Sequence, residues 1–166
     1  MARDPGVGFM FDQLLPRHID NTYRGPKLAL WMFGLVVLMK VGMSLVSIFN
    51  GYQTASTADA IALDTFTPAG AQAVVSLFAL LGLAQLMLCF LGILALVRYR
   101  AMVPLMLLLL LLEFLGRRLI LLFLPVVRTG TPPGLIMNLV LVALMLAGLA
   151  LSLRRRGGVA AQGQLA

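Results

Sequence analysis

The segment LLEFLGRRLI, residues 111–120, decides how the fold is interpreted, because it places three ionisable side chains inside an apolar run. The run extends from about 102 to 126 and meets the requirement of about 20 predominantly apolar residues for crossing a hydrocarbon core. We therefore predict a transmembrane helix that carries Glu113, Arg117 and Arg118 inside the bilayer. How the chain accommodates these charges is the main question that the sequence raises about function.

The composition of the whole chain is that of an integral membrane protein. Of its 166 residues, 61% are hydrophobic and the mean hydropathy is +1.00, whereas soluble domains contain about 45–50% apolar residues. The formal net charge is +7, but most Lys and Arg residues flank the apolar runs. We expect these residues to contact anionic lipid headgroups, and we predict no nucleic-acid partner.

Four apolar segments are long enough to span a membrane, and none shows the alternation typical of a membrane barrel. They lie at about 28–49, 72–97, 102–126 and 134–153. The short connections between the last three segments force neighbouring helices to run antiparallel. The predicted fold is an all-α integral membrane protein, in which residues 28–153 form a four-transmembrane-helix up-down bundle.

The distribution of Lys and Arg predicts the orientation of this bundle. Nine of these residues flank one predicted side, and Arg128 alone flanks the other. Because short cytoplasmic flanks carry the excess of Lys and Arg, both termini are predicted to be cytoplasmic, in a bacterial-type cytoplasmic (inner) membrane. The nine residues are Arg3, Arg17, Arg24, Lys27, Arg98, Arg100, Arg154, Arg155 and Arg156.

The segments outside the spans are predicted as follows. Residues 1–27 group apolar side chains such as Phe9 and Phe11, a pattern that suits an interfacial amphipathic helix on the cytoplasmic surface, with a frayed tail as the alternative. The polar connection at 50–71 is expected to be a solvated connector, with a short cap over the bundle as the alternative. Residues 154–166 are predicted to form a flexible cytoplasmic tail.

Three predicted helices place a polar side chain at the same depth. Lys40, Gln85 and Glu113 each lie near the centre of their own apolar segment. Arg117 follows Glu113 by four residues, so the two lie on one helix face in the favourable acid-first order. Arg118 points about 100° further round the helix and can reach the membrane surface only in part. These five residues form the predicted intramembrane polar layer.

The charges of this layer do not balance. Lys40, Arg117 and Arg118 oppose Glu113 alone, which leaves a formal surplus of two positive charges. Inserting two Arg and one Glu costs on the order of 8 kcal/mol, which the apolar residues of the segment roughly offset. The helix is therefore predicted to be stable only where its charged face meets protein or trapped water.

Three arrangements would compensate the surplus of positive charge in the polar layer. In the first, which the sequence favours, Lys40 pairs with Glu113 across helices, the arginines bind backbone carbonyls or Gln85, and the ion pairs fix the helix register. In the second, the surplus binds an anionic ligand such as a lipid phosphate. In the third, a partner subunit supplies the missing carboxylates.

Small residues predict where helices pack closely. They share a face on the second segment and recur at spacings of four on the fourth, and such faces let another backbone approach. We interpret both as helix–helix seams. The residues are Gly82, Cys89 and Gly92 on the second segment, with Gln85 on the same face, and the pairs Ala143 with Ala147 and Gly148 with Ser152 on the fourth.

The sequence contains no signature of a soluble-type enzyme. There is no GxxxxGK[ST], HExxH or GxSxG motif. Cys89 is the single cysteine and His18 the single histidine, so this sequence offers neither a CxxC pair nor a bis-histidine haem site. Asp59 and Asp64 are outer-loop acids that could act as an acid–base pair, but no nucleophile or metal ligand accompanies them. We predict no catalytic residue, no metal site and no cofactor.

The sequence favours a non-enzymatic function. The first hypothesis is an accessory, assembly or structural subunit that packs against other membrane proteins or forms a homo-oligomer. The alternative is a small carrier or binder of an anionic solute or lipid, with the polar layer as its site. An enzyme acting on lipid or quinone is a third and weaker option, because no reacting residue can be nominated.

Overall fold

The computed structural model describes residues 21, 23 and 25–153, and this part of the chain forms five α-helices. The prediction of an all-α fold is confirmed. The apolar group at residues 9–15 and the tail at 154–166, for which an interfacial helix and a flexible segment are predicted, lie outside the described residues. The helices are α1 (Lys27–Phe49), α2 (Gly51–Gln53), α3 (Pro68–Arg98), α4 (Val103–Phe123) and α5 (Gly134–Leu153).

Local chemistry accounts for the ends of the long helices. The hydroxyl oxygen of Thr67 accepts a hydrogen bond from the Gly70 amide at 3.2 Å and caps α3, which begins at Pro68, before the predicted start of the second segment. The last residue of α4 is Phe123, short of the predicted limit at 126. Leu124 precedes a proline, and that position disfavours helical backbone.

The four long helices pack in a ring around one apolar core. α1 makes its most extensive contacts with α3 and also packs against α5, whereas α4 packs against α5 and, less extensively, against α3. Each long helix contributes fully buried side chains to this core. The largest of them are Phe33, Val36, Cys89, Val103, Leu107, Leu110, Leu141 and Met145.

Two connections meet at one end of the ring, which we call the loop end. The amide of Thr129 donates a hydrogen bond to the carbonyl oxygen of Ala60 at 2.9 Å, and Ile61 pairs with Arg128 in one antiparallel bridge. Ala60 has a φ of 55°, a left-handed conformation that costs an L-residue about 1–2 kcal/mol. The α1–α3 and α4–α5 connections are therefore held together, against local strain, by tertiary contacts.

The connection after α1 is folded rather than solvated. It contains α2, a π-helical turn at Thr54–Ala58 and a 3₁₀ turn at Leu63–Thr65. The expectation of a solvated connector is wrong, because apolar side chains of this segment pack against the first turns of α3. This second apolar cluster comprises Ala55, Ile61, Leu63, Val74, Val75 and Phe78.

Three of the described helices, α1, α3 and α5, are long and apolar enough to cross a membrane. They indicate a multi-pass membrane protein. α4 is 21 residues long but is not among them, and it carries the charged residues Glu113, Arg117 and Arg118. The crossing by α4, and with it the four-span up-down bundle, stays a prediction.

The predicted close packing on α3 is confirmed. A Cβ atom at Gly82 would lie 3.0 Å from the carbonyl oxygen of Ser44, and one at Gly92 would lie 3.2 Å from Cγ2 of Val37. Gly82, Cys89 and Gly92 are all buried. Gly82 is required because the backbone of α1 lies too close for a larger residue, whereas an added Cβ at Gly92 would press on the side chains of Val37 and Phe33.

The prediction for α5 is confirmed for one pair and wrong for the other. Gly148 and Ser152 are buried, and a Cβ atom at Gly148 would lie 3.4 Å from Cδ1 of Leu107 on α4. Ala143 and Ala147 are exposed. Spacing by four residues places each pair on one face, but it does not decide which face the neighbouring helices cover.

Burial is uneven along α4. All six buried residues of this helix lie between Val103 and Leu111, in the half that is distant from the loop end. No residue from Leu112 to Phe123 is buried within the described part of the chain. The half of α4 near the loop end therefore meets the main core only through partly buried side chains such as Phe114, and we call residues 112–123 the open half of α4.

Candidate functional site

Lys40 connects three helices from a buried position midway along α1, where it is only 6% exposed. Its ammonium Nζ donates hydrogen bonds to Gln85 Oε1 on α3 at 3.0 Å and to Glu113 Oε2 on α4 at 3.1 Å. The Lys40–Glu113 ion pair, which the sequence favoured among the three arrangements, is confirmed. Lys40, Gln85 and Glu113, for which the sequence predicts a common depth, therefore contact one another directly through Lys40.

Arg117 completes this group from the next turn of α4. Its Nη2 atom contacts the second carboxylate oxygen of Glu113, Oε1, and lies 3.5 Å from Gln85 Oε1. Glu113 thus lies between two cations, one from its own helix and one from α1. We call Lys40, Gln85, Glu113 and Arg117 the polar cluster.

Exposure increases across the polar cluster from α1 towards α4. The side chain of Lys40 is 8% exposed, that of Glu113 is 26% exposed and that of Arg117 is 48% exposed. The cluster begins where the open half of α4 begins, since Glu113 and Arg117 lie just beyond the last buried residue, Leu111. Its buried side is closed by α1 and its other side is open.

The hydrogen bonds of the polar cluster leave no acceptor without a donor. Each oxygen of Glu113 meets one cation, and Gln85 Oε1 meets both Lys40 and Arg117. The amide Nε2 of Gln85 points to Cys89 Sγ at 3.8 Å. A network satisfied in this way fixes the relative position of α1, α3 and α4, and it does not by itself provide an empty site for a ligand.

Arg118 does not join the polar cluster, although the sequence placed it in the same layer. Its guanidinium carbon lies 5.3 Å from the ring centroid of Phe114, in cation–π contact. One residue corresponds to about 100° of rotation, so Arg118 leaves the face that Arg117 shares with Glu113. The guanidinium is therefore stabilised by an aromatic face rather than by a carboxylate, and its positive charge is not neutralised.

The two acids of the loop have different surroundings. Asp64 is exposed, whereas Asp59 is partly buried next to the loop end. Burial raises the pKa of Asp59 above its ordinary value, and the nearby charges of Arg128, Arg118 and Arg117 oppose part of this rise. Within the described residues, no group of three or more His, Cys, Asp or Glu side chains could hold a metal ion.

Arg128 is a residue of interest that the sequence reasoning did not include among the site residues. Its Nε atom is buried and has no hydrogen-bond acceptor within the described part of the chain. The available signal was its isolation, since it is the single Lys or Arg in the predicted outer connections. Its proximity to Asp59 depends on the bridge between Ile61 and Arg128, which no local pattern predicts.

Tyr23 is a second polar residue that the sequence reasoning did not select. It packs against the main core cluster, and its hydroxyl group has no hydrogen-bond partner among the described residues. Burial raises the pKa of Tyr23 to about 12. The side chain therefore serves the core mainly as an apolar ring, and its hydroxyl stays protonated at physiological pH.

Comparison with known proteins identifies no relative. No protein-family model matches the chain, and no curated protein or solved structure is similar to it.

Proposed function

We propose that this chain is a small non-enzymatic membrane subunit that works by packing against another membrane protein or a second copy of itself. The observation that carries this proposal is the half-exposed Arg117 near the centre of an apolar helix. An Arg at the centre of a membrane helix costs about 2.5–3.5 kcal/mol on insertion scales, so such residues face protein or water rather than lipid. A neighbouring chain over the open half of α4 would provide that environment.

The apolar face beside Arg117 suits such a neighbour. Exposed residues recur along α4 at alternating spacings of three and four, which is the period of a coiled-coil seam. A Cβ atom at Gly116, in the middle of this face, would have no atom within 4 Å, so another helix can approach there. The residues of this face are Leu109, Leu112, Gly116, Leu119 and Phe123.

In this proposal α4 is the third of four spans of an up-down bundle in a bacterial-type inner membrane. Both termini lie in the cytoplasm, and the Lys and Arg residues near the helix ends contact anionic headgroups. The contact between Ala60 and Thr129 supports this topology, because it holds the α1–α3 connection and the α4–α5 connection at the same end of the ring. Helices that alternate in direction place these two connections on one side of the membrane. The polar cluster then holds α4 against α1 and α3 despite its charges.

The test is the size and composition of the particle in mild detergent or nanodiscs. We expect a dimer, or a stoichiometric complex with one membrane protein, that is lost when Gly116→Ile fills the α4 face. Gly42→Ile is the matched control, because Gly42 is also an exposed glycine with no atom within 4 Å of an added Cβ. A strictly monomeric particle with no stoichiometric partner would refute the packing function.

A second candidate function is the binding or carrying of an anionic solute or lipid. The surplus of positive charge favours it, since Lys40, Arg117 and Arg118 still outnumber Glu113 after the ion pairs form. In that function Arg117→Ala or Arg118→Ala removes anion binding or flux and leaves the fold intact. If both variants fail to insert, the arginines are structural and this candidate loses its basis.

A further inference from the structure

The loop end combines an uncovered helix with an anchored pair of connections. No residue of the open half of α4 is buried within the described chain, and the α1–α3 connection is tied to the α4–α5 connection through Ala60 and Thr129. Asp59 and Arg128 lie next to this contact, because Asp59 precedes Ala60 and Arg128 precedes Thr129 in the sequence. Asp59 and Arg128 therefore belong to one group of charged residues around the loop end, together with Arg117 and Arg118, whose charges also act on Asp59.

Arg128 is the member of this group that lacks an acceptor. Its Nε atom is buried with no hydrogen bond in the described part of the chain, although its side chain as a whole is only partly buried. An unsatisfied buried donor costs about 1–3 kcal/mol, and more when the donor is charged. Asp59 is near but forms no ion pair with Arg128 among the described residues. The missing component is therefore an acceptor.

Arg118 offers donors to the same region. Its guanidinium carbon lies 5.3 Å from the Phe114 ring centroid, and a guanidinium in cation–π contact still has N–H donors for an acceptor. Its charge, like those of Arg128 and Arg117, reaches Asp59. The open half of α4 leaves space on this side, since Leu115, Gly116 and Leu119 are exposed there.

The charges near the loop end do not balance. Between the polar cluster and the loop end, Lys40, Arg117, Arg118 and Arg128 give four positive charges, whereas Glu113, Asp59 and Asp64 give three negative charges, so one positive charge remains. Lys40 and Arg117 already share Glu113. Arg118 and Arg128, away from the polar cluster, are therefore the two of these four that form no ion pair among the described residues.

We propose that Arg118 and Arg128, assisted by the exposed edge of Arg117, bind a phosphate-type anion beside Asp59 at the loop end. A phosphate presents several acceptor oxygens and matches the planar fork of arginine, which allows bidentate hydrogen bonds that a single carboxylate cannot give to two arginines. The phosphate belongs either to a lipid headgroup or to a free anion. This inference rests on the second candidate function but places the anion outside the polar cluster.

The experiment measures anion binding to the full chain in nanodiscs. In phosphatidylcholine nanodiscs, inorganic phosphate is titrated and the rise in unfolding temperature is recorded. In parallel, native mass spectrometry compares retention of phosphatidylglycerol with that of phosphatidylcholine. We expect R118Q/R128Q to weaken phosphate binding, phosphatidylglycerol retention, or both by at least about tenfold, the change expected when about 1.4 kcal/mol of binding free energy is lost.

Two controls separate this site from general electrostatics. R100Q removes an exposed arginine at the opposite end of the ring, where Arg100 Nε donates to the carbonyl oxygen of Leu96. It should leave phosphate binding unchanged, and its effect on phosphatidylglycerol retention measures what loss of one ordinary headgroup contact does. D59N removes the acid beside the proposed anion and should tighten binding. If R118Q/R128Q does not fold, R118K and R128K keep the charge but lose the fork, and each should still weaken binding.

The outcomes are decisive in each direction. Binding of phosphate without preference for phosphatidylglycerol assigns a soluble anion, whereas retention of phosphatidylglycerol alone assigns a lipid. Equal loss of binding in R100Q and R118Q/R128Q, weaker binding in D59N, or no binding by the wild type would overturn the site. Binding without transmembrane flux would support the site and count against a carrier, so failure of the two ideas can be distinguished.

Discussion

At the scale of single residues, the buried lysine shows how much a charge depends on its neighbours. Lys40 is tolerated in the core because Glu113 and Gln85 both accept its hydrogen bonds. Removing one partner of a buried ion pair typically costs 3–5 kcal/mol, because the other charge is left uncompensated. In this chain Arg117 also contacts Glu113, so part of that compensation persists.

We expect Lys40→Met to lower the free energy of unfolding by about 3 kcal/mol, at the lower end of the usual range, because Arg117 continues to neutralise Glu113. Denaturant unfolding in detergent micelles measures this loss. The double variant with Glu113→Gln should lose less than the sum of the two single losses, since the second substitution removes the charge that the first leaves unpaired. Additive losses would mean that the two residues do not interact.

Asp59 gives a prediction about pH. Burial raises its pKa above the ordinary 3.8, so the folded chain binds the proton more tightly than the unfolded chain does. Stability should therefore fall as the pH rises from 3.8 through the raised pKa, and be constant above it. Asp59→Asn should remove this decrease in the unfolding temperature, whereas Asp64→Asn, at an exposed position, should retain the wild-type profile. An unchanged profile in Asp59→Asn would contradict the assigned burial.

At the scale of elements, glycine decides how closely α1 and α3 approach. An added Cβ at Gly82 would meet both the backbone of Ser44 and the side chain of Ser47 at 3.0 Å. The backbone of Ser44 cannot move without shifting α1, in contrast to the end of a flexible side chain. The seam is therefore rigid, and it lies between the two helices with the most extensive mutual contact.

Gly82→Ala should consequently destabilise the fold by about 1–3 kcal/mol, the usual cost of overpacking. Gly42→Ala, on an exposed face of α1, should be neutral or stabilising by up to about 1 kcal/mol through helix propensity. The unfolding midpoints of the two variants in the same detergent provide the comparison. Equal midpoints would show that the α1–α3 seam does not depend on close approach at Gly82.

At the scale of the whole molecule, the number of membrane crossings depends on α4. If α4 crosses, the connections containing Thr65 and Gly130 lie on one side and Arg100 lies on the other. If α4 does not cross, Gly130 lies on the same side as Arg100. All three positions are exposed, and a side chain at Gly130 would have no atom within 4 Å of its Cβ.

We expect Thr65→Cys and Gly130→Cys, each introduced singly into a Cys89→Ala background, to react with a membrane-impermeant maleimide from the same side of oriented vesicles. Arg100→Cys should react only from the opposite side. The background is suitable because Cys89 is the single cysteine of the sequence, so its removal leaves no competing thiol. Labelling of Gly130→Cys together with Arg100→Cys would refute the four-span bundle.

The sequence alone established the helical class, the approximate extents of the long helices and the common depth of Lys40, Gln85 and Glu113. These properties follow from hydropathy along the chain and from the distance of each residue to the ends of its segment, which are local quantities. The pairing of Glu113 with Arg117 is likewise a consequence of helical spacing. Thus much of the polar cluster was predictable before any helix was placed beside another.

Only the tertiary structure decided how these helices turn and separate. It brought Lys40 and Glu113 into contact and placed Arg118 over Phe114. It also packed the α1–α3 connection against α3 and left residues 112–123 of α4 without a buried side chain. It also brought Arg128 beside Asp59 through a contact between residues far apart in sequence. Rotation, splay and long-range contact depend on how side chains of different helices pack together, and hydropathy along one segment carries no information about them.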